Sequence, residues 1–223
     1  MPMTMTADVD RAALKATETL IKHQVSFAPI MPLPILKSIP NVLVLSFAEM
    51  ANRIGIDRQN VITTFGSDNR DVVTSVMNVD GKLRYFVAYN QRLPFYMLQR
   101  ALSRELGHIV LEHDGSRPED VRQQEALYFA RHLLCPRPLI KALQDHIKPL
   151  TVETVGNITG CYERCILGMR KTPGAHVPPE LNRMLKDQFA DYIANFIDCE
   201  KILTAEDITD VADFGSFMNN YEE

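Results

Sequence analysis

Helix-forming residues 94–112 include Arg104-Glu105-Leu106-Gly107-His108, a pattern that differs at one position from a well-understood catalytic device. In H-E-x-x-H, two histidines four residues apart share one helical face and hold a zinc ion, and the glutamate beside the first polarises a zinc-bound water. Here Glu105 stands where the general base belongs and His108 where the second ligand belongs, but Arg104 occupies the first ligand's place. A guanidinium has no lone pair to offer and stays protonated at physiological pH. Held about 4 Å from a divalent cation at an effective dielectric near 20, it would be repelled by roughly 8 kcal/mol. That would offset most of the binding free energy of an ordinary structural zinc.

Glu125 is the next acidic candidate, at the head of Glu125-Ala126-Leu127-Tyr128-Phe129-Ala130. Apolar residues at 126, 129, 130, 133 and 134 place it at the edge of the buried stripe of its helix. Two arrangements are open, beside a site unrelated to metals. In the first, the Arg104 head fills the position a metal would take and donates to Glu125, to Glu105, or to both. In the second, a substitute ligand joins His108 and Glu125. His113 can turn inward for that purpose only if its helix ends near residue 111, and His132 shares a helix face with Glu125. Gly107, in mid-helix at a cost of about 1 kcal/mol relative to alanine, implies a close packing partner.

The order of these features resembles the ImmA/IrrE family of metallopeptidases. It runs from a hairpin strand through Asn90, a helix with R-x-L-x-x-E-L-G-H and His113 to E-A-x-x-F-A-x-x-L-L-x-P, and the likeness covers roughly residues 9–145. The resemblance implies a small gluzincin-like α+β fold. It also implies Glu105 as catalytic base, His108 and Glu125 as metal ligands, Arg104 in place of the first ligand, and His113 as a possible auxiliary residue. Some members cleave a helix-turn-helix repressor that silences mobile-element or stress genes in bacteria or phages. The expectation is a degenerate peptidase-like protein that holds no catalytic zinc and acts by binding a protein partner or peptide, such as that repressor. The alternative is an active metallopeptidase in which zinc is held by His108, Glu125 and a substitute ligand. In gluzincin-like folds a substrate strand pairs with a sheet edge, so the resemblance also makes residues 83–89 a peptide ledge.

The elements that must position these residues can be read from pattern. Residues 9–24 carry a helical stripe, the proline-rich stretch to Pro40 reads as extended, and Val42 to Ile54 reads as a helix closed by Gly55. Strands are expected at Val61–Phe65, Val72–Val79 and Leu83–Tyr89, the last two joined by Asp80-Gly81, a hairpin signal. Pro94 opens the motif helix, and Ser116-x-x-Glu119 reads as a capping box for the next, which runs through Leu134. Further helices are expected over 138–146, 151–157 and 160–171, then from Pro178 or Pro179 to about Cys199. The fold class is thus α+β: a small antiparallel three-stranded sheet on the motif helix, with a helical C-terminal half. Residues 1–145 form the peptidase-like domain, 146–199 a helical extension packed on it, and 200–223 an acidic flexible tail.

Composition bounds the rest. The 223 residues are 46% hydrophobic and carry a net charge of −4, enough for a core and the wrong sign for a nucleic-acid grip. Residues 198–223 hold eight acids against one lysine. No run is apolar enough to cross a bilayer, and residues 1–10 have no signal-peptide core, so a cytoplasmic location without membrane or direct nucleic-acid contact is expected. Cys135, Cys161, Cys165 and Cys199 lack C-x-x-C spacing and read as reduced thiols, with Cys161 and Cys165 four apart on a presumed helix as core packing. Arg117, Arg122, Arg131, Arg137 and Lys141 read as a solvated positive face.

Overall fold

A computed structural model describes residues 6–57, 59–61, 63, 72–113, 116–171 and 175–204. Helix α1 (Val9–Lys22) begins where the Asp8 carboxylate accepts the Arg11 N–H at 2.9 Å, a side-chain N-cap, and buries Ala12, Ala16 and Leu20. The proline-rich stretch is not extended throughout. Pro32–Ser38 forms helix α2, because proline at the first helical position gives up an N–H that has no partner there in any case. Its Ile35 and Leu36 enter the core.

Val42–Ile54 is two elements rather than one helix. Val42–Ser46 is strand β1, and Phe47–Ile54 is helix α3. Ser46 divides them. Its hydroxyl accepts the Glu49 N–H at 3.1 Å while the Glu49 carboxylate accepts the Ser46 N–H at 2.6 Å, a complete capping box. Gly55, with φ of +68°, closes the helix.

Strands β2 (Val72–Val79) and β3 (Lys82–Tyr89) form the expected hairpin, with Asp80 and Gly81 at φ of +54° and +75°. Val79 pairs with Lys82 and Val72 with Tyr89. The sheet order is β1-β3-β2, and β1 runs parallel to β3 with Val44 opposite Val87. The sheet is therefore mixed, and the all-antiparallel expectation is corrected. Of the expected strand at 61–65, Val61 and Thr63 are helical, and the other positions lie outside the described residues. Residues 83–89 are the central strand, so among the described residues the free edge of the hairpin belongs to β2.

The sheet packs on both faces along β1 and the second half of β3, while residues 75–78 of β2 are exposed. Val44 and Val87 join the main core with Leu102, Leu106 and Phe129, while Leu45 and Ala88 face Phe47, Met50 and Val61. The motif helix α4 (Phe95–Val110) and helix α5 (Glu119–Leu134) form the layer that carries the candidate site. Ser116 does not cap α5. Pro118 takes the cap position, and the helix begins at Glu119 with no side-chain cap.

Helices α6 (Arg137–His146), α7 (Val152–Thr159), α8 (Glu163–Lys171), α9 (Pro179–Gln188) and α10 (Ala190–Thr204) complete the α+β fold. The expected single last helix is broken at Phe189, whose side chain is fully buried with Leu185 and Ile193 against the main core. Of the expected flexible tail, residues 200–204 belong to α10 and 205–223 lie outside the described residues.

Candidate functional site

Gly107 sets the distance between α4 and α5. A Cβ built there would lie 3.0 Å from Phe129 Cδ1 and 3.2 Å from Ala126 Cα. A side chain there would push its neighbours back by a few tenths of an ångström, so the mid-helix glycine marks a close packing partner. The close approach brings Glu125, one residue before Ala126, against the C-terminal end of α4, and its carboxylate has no solvent exposure.

The chain leaves α4 by a sharp reversal. Leu111 is the C-cap residue, Glu112 takes φ of +54°, and the His113 N–H donates to His108 O at 3.0 Å. The Arg11 guanidinium of α1 donates to Leu111 O at 2.7 Å and pins this end. With the helix finished at 110, His113 turns inward and is buried. Its Nε2 lies 3.0 Å from Glu125 Oε2 and its Nδ1 lies 2.8 Å from His108 Nδ1. Burial pushes His108 down to about 4, with the charges of His113 and Arg104 acting in the same direction. Burial also lowers His113, more than Glu125 raises it. With both rings neutral, one tautomer set satisfies every contact: His108 Nδ1–H donates to His113 Nδ1, and His113 Nε2–H donates to Glu125.

Two more donors complete the carboxylate's shell. The backbone N–H of Asp8 reaches Oε1 at 2.9 Å, and Arg117 Nη1 lies 2.6 Å from Oε1 and 2.9 Å from Oε2. A guanidinium does neutralise this core, but it is Arg117 from the loop before α5. Arg104 turns away and donates to Gln123 Oε1. Arg117 was expected in a solvated face, and its side chain is instead 27% exposed with its head on a buried carboxylate. The positive residue was visible in the sequence, but its partner was not, because a loop has no period from which to read direction.

The candidate ligands therefore meet without converging. His108 and Glu125 contact opposite nitrogens of the His113 ring, so an imidazole stands between them. Both oxygens of Glu125 already accept from N–H donors. Among the described residues no three His, Cys, Asp or Glu side chains are placed to hold a metal ion. These donors do not fit a catalytic zinc, and no metal-dependent step is derived from them. His132 contributes no bond to Glu125. It is buried seven residues further along α5 with Nε2 unpartnered.

Above this core opens a groove of about 860 Å³. Glu105, His108 and His113 lie along it, β2 forms one wall through Val72–Val76, and Arg100, Arg104 and Arg122 line the helical side. Val76, Tyr96 and Met97 offer exposed apolar surface at the rim. β2 pairs with β3 and has no second strand neighbour among the described residues. Its outer backbone groups can accept an added strand, with pockets for alternate side chains.

No protein-family model, curated protein or solved structure matches this chain. Among the described residues no helix is long and apolar enough to cross a membrane.

Proposed function

We propose that the protein is a cytoplasmic, metallopeptidase-like binding protein that takes an extended peptide segment of a partner along β2 without cleaving it. By its resemblance to ImmA/IrrE proteins, the partner is a helix-turn-helix repressor. The observation that carries this reading is the occupied carboxylate. Glu125, at the third-ligand position of the resemblance, accepts from Arg117, His113 and the Asp8 backbone. At the first-ligand position stands Arg104, which serves Gln123. What remains usable is a groove with a free strand edge on one side and three arginines on the other. Main-chain pairing along the edge supplies affinity, and the three arginines, offset in part by Glu105 and by Glu119 paired with Arg122, leave a positive balance that favours a segment carrying carboxylates.

The test mixes the purified protein with each helix-turn-helix repressor that a survey of its neighbouring genes identifies, with and without added zinc. Expected are a complex, an uncut repressor, and far less than one zinc per chain after purification without chelator. Met97→Asp combined with Arg100→Glu should weaken the complex at least tenfold, because it removes rim contact and reverses a groove charge. Stoichiometric zinc with repressor cleavage would overturn this reading and establish a metallopeptidase using His108, Glu125 and a further ligand. Absence of any complex would remove the repressor from the proposal.

A further inference from the structure

Outside the groove wall, three thiols come together from three parts of the chain. Cys135 is the C-cap residue of α5, Cys161 follows the left-handed Gly160 that ends α7, and Cys165 lies in the first turn of α8. All three are free and buried, and they pack in one cluster with Leu134, Val155 and Ile166. Cys135 also contacts Thr159 Oγ1 at 3.7 Å. The expected pair on one helix is thus a triad, because the end of α5 adds a residue thirty positions away from Cys165 in the chain.

Cys165 faces a small cavity of about 90 Å³ that it walls together with Arg100, Arg131, Arg164 and Tyr162. At roughly 30 Å³ per water, this space admits only small polar molecules. Gly168, three residues after Cys165 on α8, has no Cβ because one would lie 2.6 Å from Arg131 Nη2. The bare glycine leaves room for that guanidinium against the helix that carries the thiol. Arg100 is stacked over Tyr162, 5.5 Å from the ring centroid.

These surroundings divide the triad into unlike members. The S–H donors of Cys135 and then Cys161 hold the Cys165 thiol well below its ordinary range, and Arg131 and Arg100 add to this against the opposing effect of burial. Cys135 is pushed up, chiefly by its bonds to Cys161 and Cys165 and by burial. Cys161 is also raised: the lowering by its bond with Cys135 is outweighed by its bond with Cys165 and by burial. A thiol facing a cavity lined by three guanidinium groups, with two further thiols packed in the same cluster, is the arrangement of a reactive cysteine with a resolving partner.

We propose that Cys165 is a redox modification site at which a small hydroperoxide, hydrogen peroxide being the simplest, drives disulfide formation with a neighbouring thiol of the triad. The Cys165 sulfur attacks one peroxide oxygen, forming S–O as O–O breaks. Hydroxide leaves and takes a proton from solvent. Sulfur is oxidised by two electrons and the peroxide is reduced. The sulfur of Cys161 or Cys135 then gives up its proton and attacks the Cys165 sulfenic acid. S–S forms, S–O breaks, and water departs with that proton. The net change is two thiols and one hydrogen peroxide giving one disulfide and two waters.

The experiment treats the full chain with equimolar hydrogen peroxide, blocks remaining thiols after unfolding, and maps peptides by mass spectrometry. Expected is a linkage from Cys165 to Cys161 or Cys135 with loss of 2 Da, formed at least tenfold faster than Cys199 is oxidised. Cys165→Ser should abolish the linkage. A measurement on the unaltered chain guards against a variant that does not fold. The rate at Cys165 should change less than threefold between pH 7.5 and pH 5.5, whereas an ordinary thiol slows about 100-fold. A Cys165 that stays reduced, a linkage that persists in Cys165→Ser, or a rate that falls in parallel with an ordinary thiol would overturn the proposal.

Discussion

Each oxygen of Glu125 accepts more than one donor, and no part of the side chain reaches solvent. A buried carboxylate is stable only while such donors are present, and the donors are equally dependent on it. Glu125→Ala would leave the Arg117 head, the His113 Nε2–H and the Asp8 N–H without their acceptor. The expected loss is about 3–5 kcal/mol, read by urea denaturation, with Glu125→Gln recovering part of it by keeping one acceptor oxygen. The histidines set the acid limit. His108 and His132 are each pushed down to about 4, in both cases first by burial. Because the unfolded chain takes up these protons first, their contribution to stability is complete above about pH 6.5 and is lost as pH falls from there towards 4. For the deeply buried His132 the loss at pH 5 is about 2 kcal/mol. His132→Leu, which also removes the unpartnered Nε2, should raise the urea midpoint at pH 5 by more than at pH 8.

Between elements, the decisive dimension is the gap that Gly107 leaves for Phe129 and Ala126. Gly107→Ala gains about 1 kcal/mol of helix propensity but forces a methyl into space already filled, which costs about 1–3 kcal/mol. The expected sum is a destabilised protein whose Glu125 network is also displaced. Thermal denaturation should show a lowered midpoint, partly restored when Phe129→Leu is added to make room. This packing was legible in the sequence as an otherwise unexplained glycine, and the inward turn of His113 was legible as a condition on where α4 ends. Other elements were not. Val42–Ser46 and the first turn of α3 form one apolar run, and periodicity over so short a stretch does not separate a strand buried on both faces from a helix. The signal that divides them, Ser46-x-x-Glu49, lies within the run, and the similar Ser116-x-x-Glu119 pattern caps no helix, because α5 starts after Pro118 with no side-chain cap. Arg117 was missed for a different reason. Its partner is eight residues away, across a turn whose course only tertiary packing decides.

The whole molecule places the site at the meeting of distant parts of the chain, and the C-terminal helices help to hold those parts together. Leu185, Phe189 and Ile193 lie in the same core as Leu20, Leu106 and Phe129. The Gln188 side chain donates to Leu20 O at 3.0 Å and to Val25 O at 2.7 Å, closing the C-terminal end of α1. At its other end α1 carries Arg11, which pins the end of α4, and follows Asp8, whose N–H caps Glu125. A helix anchored at both ends transmits the loss of either anchor, so the extension after residue 145 supports the Glu125 network through α1, besides lending Tyr162 to the lining of the groove. Phe189→Ala removes a fully buried ring and should cost about 3–5 kcal/mol. A chain ending at residue 145 loses Leu185, Phe189, Ile193 and the Gln188 bonds at once, and should show no cooperative urea transition. If residues 1–145 instead unfold in a single sharp transition with His113 still protected, the C-terminal helices are an accessory layer, and α1 is held by α5 and by the Arg11 bond to the end of α4.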